Sequence, residues 1–190
     1  DHHRAVLSAL GAVDDRVRPV RMEYVGGPDQ PSLIASSAQV TVHAVRWTVL
    51  EGVTAEGLLL TPRQPLEARV VALPDADQTP EMLAGLMDGA EPWALKLALA
   101  GCETLVPTLI DRRCLWSGNP AVSMTNQTHR ELIWRQAFDH GRHIIGFEAQ
   151  KVFAALDWMR QRYASRSGGA LPCGVAGHGE GGLIALCAAA

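Results

Sequence analysis

Between Thr41 and Leu50, apolar Val45, Trp47 and Val49 alternate with polar neighbours, and His43 falls on the same side. A period of two residues is that of a strand with one buried face. Glu51-Gly52 can turn the chain, and Val53 to Leu60 then reads as the antiparallel partner, ended by Thr61-Pro62. Ala68-Arg69-Val70-Val71-Ala72-Leu73 has a nearly continuous apolar character instead, and Pro74 closes it. A β-branched run of that kind suits a strand covered on both faces of a sheet. Glu103 to Ile110, ended by Asp111, and Pro172 to Ala176 are two further short strands.

Helical patterns lie between these strands. Thr79 is a good N-cap, Pro80 sits at the first helical position and Glu81 favours the first turn. Pro92 to Ala100 is a second helical piece, with Gly101 as its stop signal. A Thr128-x-x-Glu131 capping box opens the best helical stretch, where Ile145, Ala149, Val152, Phe153 and Leu156 recur near 3.6 residues. Gly141 and Gly146 are positions at which that stretch can divide in two. Leu183 onward is a last, apolar helix. Residues 1–40 read as a lead-in segment, with a short helix over Arg4 to Ala12 and loops at Gly26-Gly27-Pro28 and Gln30-Pro31-Ser32. Two antiparallel strands followed by alternating strand and helix predict an α/β fold over residues 41–190. Its sheet is expected to be doubly wound, mostly parallel and covered on both faces.

Composition narrows the function classes. A chain of 190 residues, 47% hydrophobic and 19% charged, suits one globular core rather than two domains. A net charge of −3 argues against a nucleic-acid partner. No apolar run approaches the ~20 residues that span a bilayer. Asp1-His2-His3-Arg4 has no signal-peptide character, but a signal removed ahead of Asp1 would leave the same start, so a secreted or periplasmic location stays open. Cys102, Cys114, Cys173 and Cys187 lack metal-site spacing and read as buried thiols, with Cys102 and Cys114 the pair to consider under oxidising conditions. His2-His3 is a crude metal patch at most, and a frayed terminus is the plainer reading. No cofactor is expected: there is no Walker lysine, and Gly177-x-Gly179-x-Gly181 lacks the spacing of a dinucleotide fingerprint.

The most informative stretch is Gly174-Val175-Ala176-Gly177-His178-Gly179-Glu180-Gly181-Gly182-Leu183-Ile184-Ala185-Leu186. Strand, glycine-rich turn and apolar helix form the layout of a nucleophile elbow, G-x-S-x-G, whose flanking residues must be small because strand and helix crowd the turn. Gly177 and Gly181 hold those flanking positions.

On these residues the chain resembles the α/β-hydrolase superfamily, in particular its bacterial acetyl-xylan-esterase and dienelactone-hydrolase branches. Arg46-Trp47-Thr48-Val49 with Gly57-Leu58-Leu59-Leu60 is similar to the opening hairpin. Val70-Val71-Ala72-Leu73-Pro74-Asp75 is similar to the strand that leads to the oxyanion loop, and Leu99-Ala100-Gly101-Cys102-Glu103-Thr104-Leu105-Val106-Pro107 to the helix-to-strand step after it. Gly141-Arg142-His143-Ile144-Ile145-Gly146-Phe147-Glu148 and Ala155-Leu156-Asp157-Trp158 resemble the helix before the elbow.

The resemblance implies a role for each elbow residue. Gly179 takes the nucleophile position, and having no side chain it cannot attack a carbonyl. Glu180 would offer its backbone N–H to an oxyanion, its carboxylate serving as an early-helix acid. The second donor would come from the loop at Asp75 and Ala76. His178 would be a packing or hydrogen-bonding residue. The superfamily places its acid and histidine after the elbow, so those partners are expected beyond Ala190, and a fold ended there would expose a strand edge and an apolar helix face.

Outside the elbow, Asp111-Arg112-Arg113 ends a strand on the side where α/β sheets bind ligands. Arg112 is therefore a candidate contact for a substrate carboxylate, against the plainer alternative of a surface ion pair. Glu148 and Lys151 are spaced to pair across a helical turn. His129 and His140 read as helix-end residues.

Three readings follow. The first is an esterase-derived protein without serine chemistry, acting as a binding or scaffolding module for a small ester or carbohydrate ligand, for other chains, or for the rest of its own domain. The second is an active ester hydrolase using an atypical nucleophile or a bound water. The third is a Ser-to-Gly variant of a true serine esterase.

Overall fold

The computed structural model describes residues 2–13, 15–110, 112–113, 128–163 and 171–189. The elements are α1 (His2–Ala9), β1 (Met22–Tyr24), β2 (Leu33–Ser36), β3 (Val40–Leu50), β4 (Val53–Pro62), β5 (Ala68–Leu73), α2 (Pro80–Leu83), α3 (Trp93–Leu99), β6 (Cys102–Pro107), α4 (His129–Asp139), α5 (Ile144–Tyr163), β7 (Cys173–Gly177) and α6 (Glu180–Ala189). Among the described residues the strands form one sheet in the order β1-β3-β4-β6-β5-β7, with β2 also paired to β3.

The sheet is mixed rather than mostly parallel. β3 runs antiparallel to β1, β2 and β4, and β4 antiparallel to β6. Among the described residues, only β6-β5-β7 are parallel neighbours. The reason lies in the connections: Glu51-Gly52 joins β3 to β4 directly, and so short a link permits only antiparallel pairing, whereas parallel pairing needs a crossover. Gly52 turns that hairpin at φ 71°.

β1 and β2 escaped the sequence pattern. They lie opposite Val45–Trp47 and Thr41–His43 and thereby share one edge of β3. Runs of three and four residues are too short to show a period, and only β3 defines them as strands. Val20 is buried with Met22 and Leu10 packed nearby, so this segment contributes to the main core.

β3 serves both faces of the sheet in turn. Val40 and Val42 join the core beneath α2 and α3, with Leu58, Leu60, Ala72 and Val106. Val45, Trp47 and Val49 join the opposite core, with Leu59, Val71, Leu73, Leu105 and the buried residues of α5 and α6. Trp47 also donates its indole N–H to the Lys151 carbonyl at 3.2 Å, which satisfies its one polar atom.

Several boundaries follow their local chemistry. The Thr79 hydroxyl accepts from the Met82 N–H, and the Thr128 hydroxyl from the Glu131 N–H at 3.0 Å. The long helical stretch does divide, at Gly141 with φ 67°. β6 stops at Pro107, not Ile110, and the Ile110 N–H bonds to the Glu148 carboxylate instead. α6 begins at Glu180, so Gly181 and Gly182 are helical rather than part of the turn. Leu183 and Leu186 of α6 are exposed, and among the described residues β7 pairs with β5 alone.

The chain leaves β5 through α2 and α3 to reach β6, then returns through α4 and α5 to β7 on the other flank of β5. A crevice opens where consecutive crossovers diverge, at the carboxyl ends of the strands. Asp75 follows β5 at that point, and Gly179 follows β7.

Candidate functional site

β7 and α6 meet in two residues, His178 and Gly179. Gly179 adopts φ +56°, the left-handed conformation that L side chains resist and glycine accepts. Its flanking glycines answer to close approach. A Cβ on Gly177 would lie 2.3 Å from the Gly181 carbonyl oxygen, and one on Gly181 would lie 2.4 Å from that of Leu73. Thus the turn is sharp enough to press the first turn of α6 against the ends of β5 and β7.

A carboxylate occupies the space above Gly179. A Cβ built there would meet Asp75 Oδ2 at 2.2 Å, with Cγ and Oδ1 each at 2.3 Å. Asp75 Oδ1 accepts two backbone N–H groups, from Glu180 at 2.9 Å and from Ala76 at 2.7 Å. Two amides converging on one oxygen at such distances form the geometry that stabilises a developing oxyanion. Here the oxygen belongs to the protein. Gln78 braces the loop by accepting the Asp75 N–H at 3.0 Å.

The His178 side chain is 83% exposed, and its Nδ1 stands 3.8 Å from Asp75 Oδ2. A cavity of about 440 Å³ adjoins it, lined by Gln78, Glu91, Trp93, Ala176, Gly177 and His178. Glu91 pairs with Lys96, whose hydrogen bond and positive charge hold the Glu91 carboxyl below the usual range.

On the other flank of α6, the Glu180 carboxylate enters a chain of charges. It pairs with Arg112, and with Arg130 Nη2 at 2.5 Å. Arg130 Nη1 stands 3.8 Å from Glu148, whose other oxygen lies 2.8 Å from Lys151 Nζ. The Arg130–Glu180 and Lys151–Glu148 contacts are close charge pairs whose angles fall outside hydrogen-bond geometry. Glu148 is fully buried and also accepts the Ile110 N–H at 2.7 Å, tying α5 to the segment after β6. Burial lowers the Arg130 pKa, Glu148 opposes the shift, and the like charge of Arg112 adds to it.

The structure therefore brings Asp75, Ala76, Gly177, His178, Gly179, Glu180 and Gly181 together, and Arg112 reaches them through the Glu180 carboxylate. The Glu148–Lys151 pair anticipated from spacing is present. Arg130 went unnoticed in the sequence because nothing in a capping box says which neighbour a first-turn arginine will meet. Cys102 is a free thiol, while Asp111 and Cys114 lie outside the described residues, as do the side chains of the His2-His3 patch. Among the described residues no group of three or more His, Cys, Asp or Glu is placed to hold a metal, and no helix is long and apolar enough to cross a membrane.

No family model matches the chain, and no curated protein sequence does. Solved structures match it well. A Bacteroides fragilis NCTC 9343 protein provisionally assigned as an acetyl xylan esterase superposes with a TM-score of 0.63 at 14% identity, over 98% of this chain and 49% of its own. A glucuronoyl esterase of Solibacter usitatus gives 0.57 at 15% identity, over 98% and 54%. An acetyl xylan esterase of Paenibacillus sp. R4 gives 0.54 at 16% identity, over 100% and 53%. The chain spans about half the length of these proteins. It has their fold.

Proposed function

From this esterase fold, we propose that the chain carries an esterase-derived site without serine chemistry, retained for binding a small ester or carbohydrate ligand. The carrying observation is the Asp75 carboxylate, which fills the volume of a side chain at position 179 and takes both amide donors. In a working serine site those donors receive the charge that develops on the substrate oxygen. With an anion already there, a substrate carbonyl would have to displace a charge-assisted contact to be polarised at all. Gly179 supplies no nucleophile, so neither half of acyl transfer is served. The cavity beside Trp93, Gln78 and His178 remains open, and it is where the ligand would sit.

A second reading rests on one observation, the 3.8 Å approach of His178 to Asp75. In that reading the Asp75 carboxylate replaces the missing serine, as nucleophile or as the base that activates a water, with His178 beside it.

Hydrolysis of p-nitrophenyl acetate and of acetylated xylo-oligosaccharides separates the two, with wild type and Asp75→Asn assayed together. Wild type is expected to give no turnover above buffer. Turnover that Asp75→Asn abolishes would replace the proposal with the second reading. Turnover indifferent to that substitution would overturn both and place the chemistry elsewhere.

A further inference from the structure

A second cavity, of about 390 Å³, lies on the other flank of Glu180, between α4, the start of α5 and the residues after β6. Its lining is Arg112, Thr128, Arg130, Glu131, Trp134 and Ile144. We propose that this cavity binds a small organic monoanion, a carboxylate carried on a flat apolar ring.

Charge points to the sign of the ligand. Arg112, Arg130 and Lys151 are three cations, and Glu148 and Glu180 are the two carboxylates that interleave them. Among the described residues of this cluster, one positive charge is left over. Glu131 lines the same cavity but does not cancel it, because its carboxylate is held by Arg135 at 2.7 Å. The surplus falls on Arg112, whose side chain is 40% exposed, while that of Arg130 is 13% exposed and held between Glu180 and Glu148. A guanidinium carries five N–H donors in a planar fork that matches a carboxylate. Among the described residues, the Glu180 contact engages one Nη of Arg112, which leaves other donors on a side chain that lines the cavity.

Shape points to the rest of the ligand. Ile144 is a buried apolar wall, and Trp134 is a large, exposed ring tilted at 38° against Phe138, with centroids 5.8 Å apart. An exposed indole beside a guanidinium favours a flat partner that stacks on one and pairs with the other. A bare inorganic anion would satisfy the arginine and leave the indole wet.

Benzoate is the probe, titrated calorimetrically into the protein beside benzamide, which keeps the ring without the charge, and acetate, which keeps the charge without the ring. Benzoate is expected to bind about tenfold or more tightly than benzamide, as one charge-assisted pair is worth, and more tightly than acetate because of its ring. Arg112→Gln should weaken benzoate by a similar factor, and added salt should weaken it further. Trp134→Ala should bring benzoate down toward acetate. Equal affinity for benzoate and benzamide, unchanged affinity in Arg112→Gln, or no measurable binding would each overturn the proposal. Acetate matching benzoate would overturn its aromatic half. Should Arg112→Gln fail to fold, the benzamide comparison on wild type decides the charge. The titration reads binding and not turnover, so it succeeds or fails independently of the ester assay.

Discussion

The carboxylate of Asp75 stands where a side chain on Gly179 would begin, 2.2 Å from the Cβ position, and it is fixed there by the Glu180 and Ala76 amides. Absence and occupation are thus coupled: the residue that lacks a side chain leaves room for the one that uses the donors. Any attempt to rebuild the elbow at one position meets the other.

Gly179→Ser should therefore destabilise the protein by about 1–3 kcal/mol, from the φ of +56° and the clash with Asp75 together. Paired with Asp75→Ala, the serine should cost less than the two single changes added, with a coupling of about 0.5–3 kcal/mol. Denaturant unfolding of the four proteins checks this. Strict additivity would mean that Asp75 does not hold that space.

The glycines at the β7–α6 turn should differ sharply from Gly174, near the start of β7. Gly181→Ala places a methyl 2.4 Å from the Leu73 carbonyl oxygen and is expected to lower stability by more than about 2 kcal/mol. Gly174→Ala meets nothing within 4 Å and should change stability by less than about 0.5 kcal/mol. Thermal unfolding of the two variants side by side is the measurement.

Glu148 is buried with Lys151 at 2.8 Å and the Ile110 amide at 2.7 Å. Removing it leaves the Ile110 amide without its partner and takes the counter-charge from Lys151, which keeps only the Thr108 carbonyl among the described residues. Glu148→Ala should cost about 3–5 kcal/mol, the range for breaking one partner out of a buried pair. A loss below about 1 kcal/mol, a surface-pair value, would show that water reaches the site.

Burial pushes the His43 pKa below its ordinary value of about 6.5. The unfolded chain then takes up the proton first as pH falls, so stability is whole above about 6.5 and declines as pH drops toward the folded value. Melting temperature should fall in that window, and His43→Gln should flatten the decline. A decline of the same size in the variant would assign it to other groups.

Cys102 and Cys173 have thiol pKa values raised chiefly by burial. Both should alkylate with iodoacetamide more slowly than a free thiol at neutral pH, because the thiolate is the reacting form. Peptide mapping by mass spectrometry reads the two rates, and a rate at or above that of glutathione would contradict their burial.

Much of the fold was legible along the chain because it is written in local periods. Alternation over Val45, Trp47 and Val49, the continuous run at Val70–Leu73, and the caps at Thr79 and Thr128 each stand for a nearest-neighbour preference that tertiary packing reinforced. Gly177, Gly179 and Gly181 were legible as a tight strand-to-helix turn for the same reason, since a strained turn restricts which residues can form it. Tertiary structure alone decided the rest. β1 and β2 are strands only because β3 offers an edge, and the sheet is mixed because its antiparallel half is held together by pairings that the helical alternation does not describe. Asp75 and Gly179, Arg112 and Glu180, and Arg130 and Glu148 are far apart in sequence, and their partnerships depend on where crossovers bring strand ends and helix starts. A sequence records what each residue prefers next to its neighbours. Which charge lies over Gly179 is settled by distances that exist only after folding.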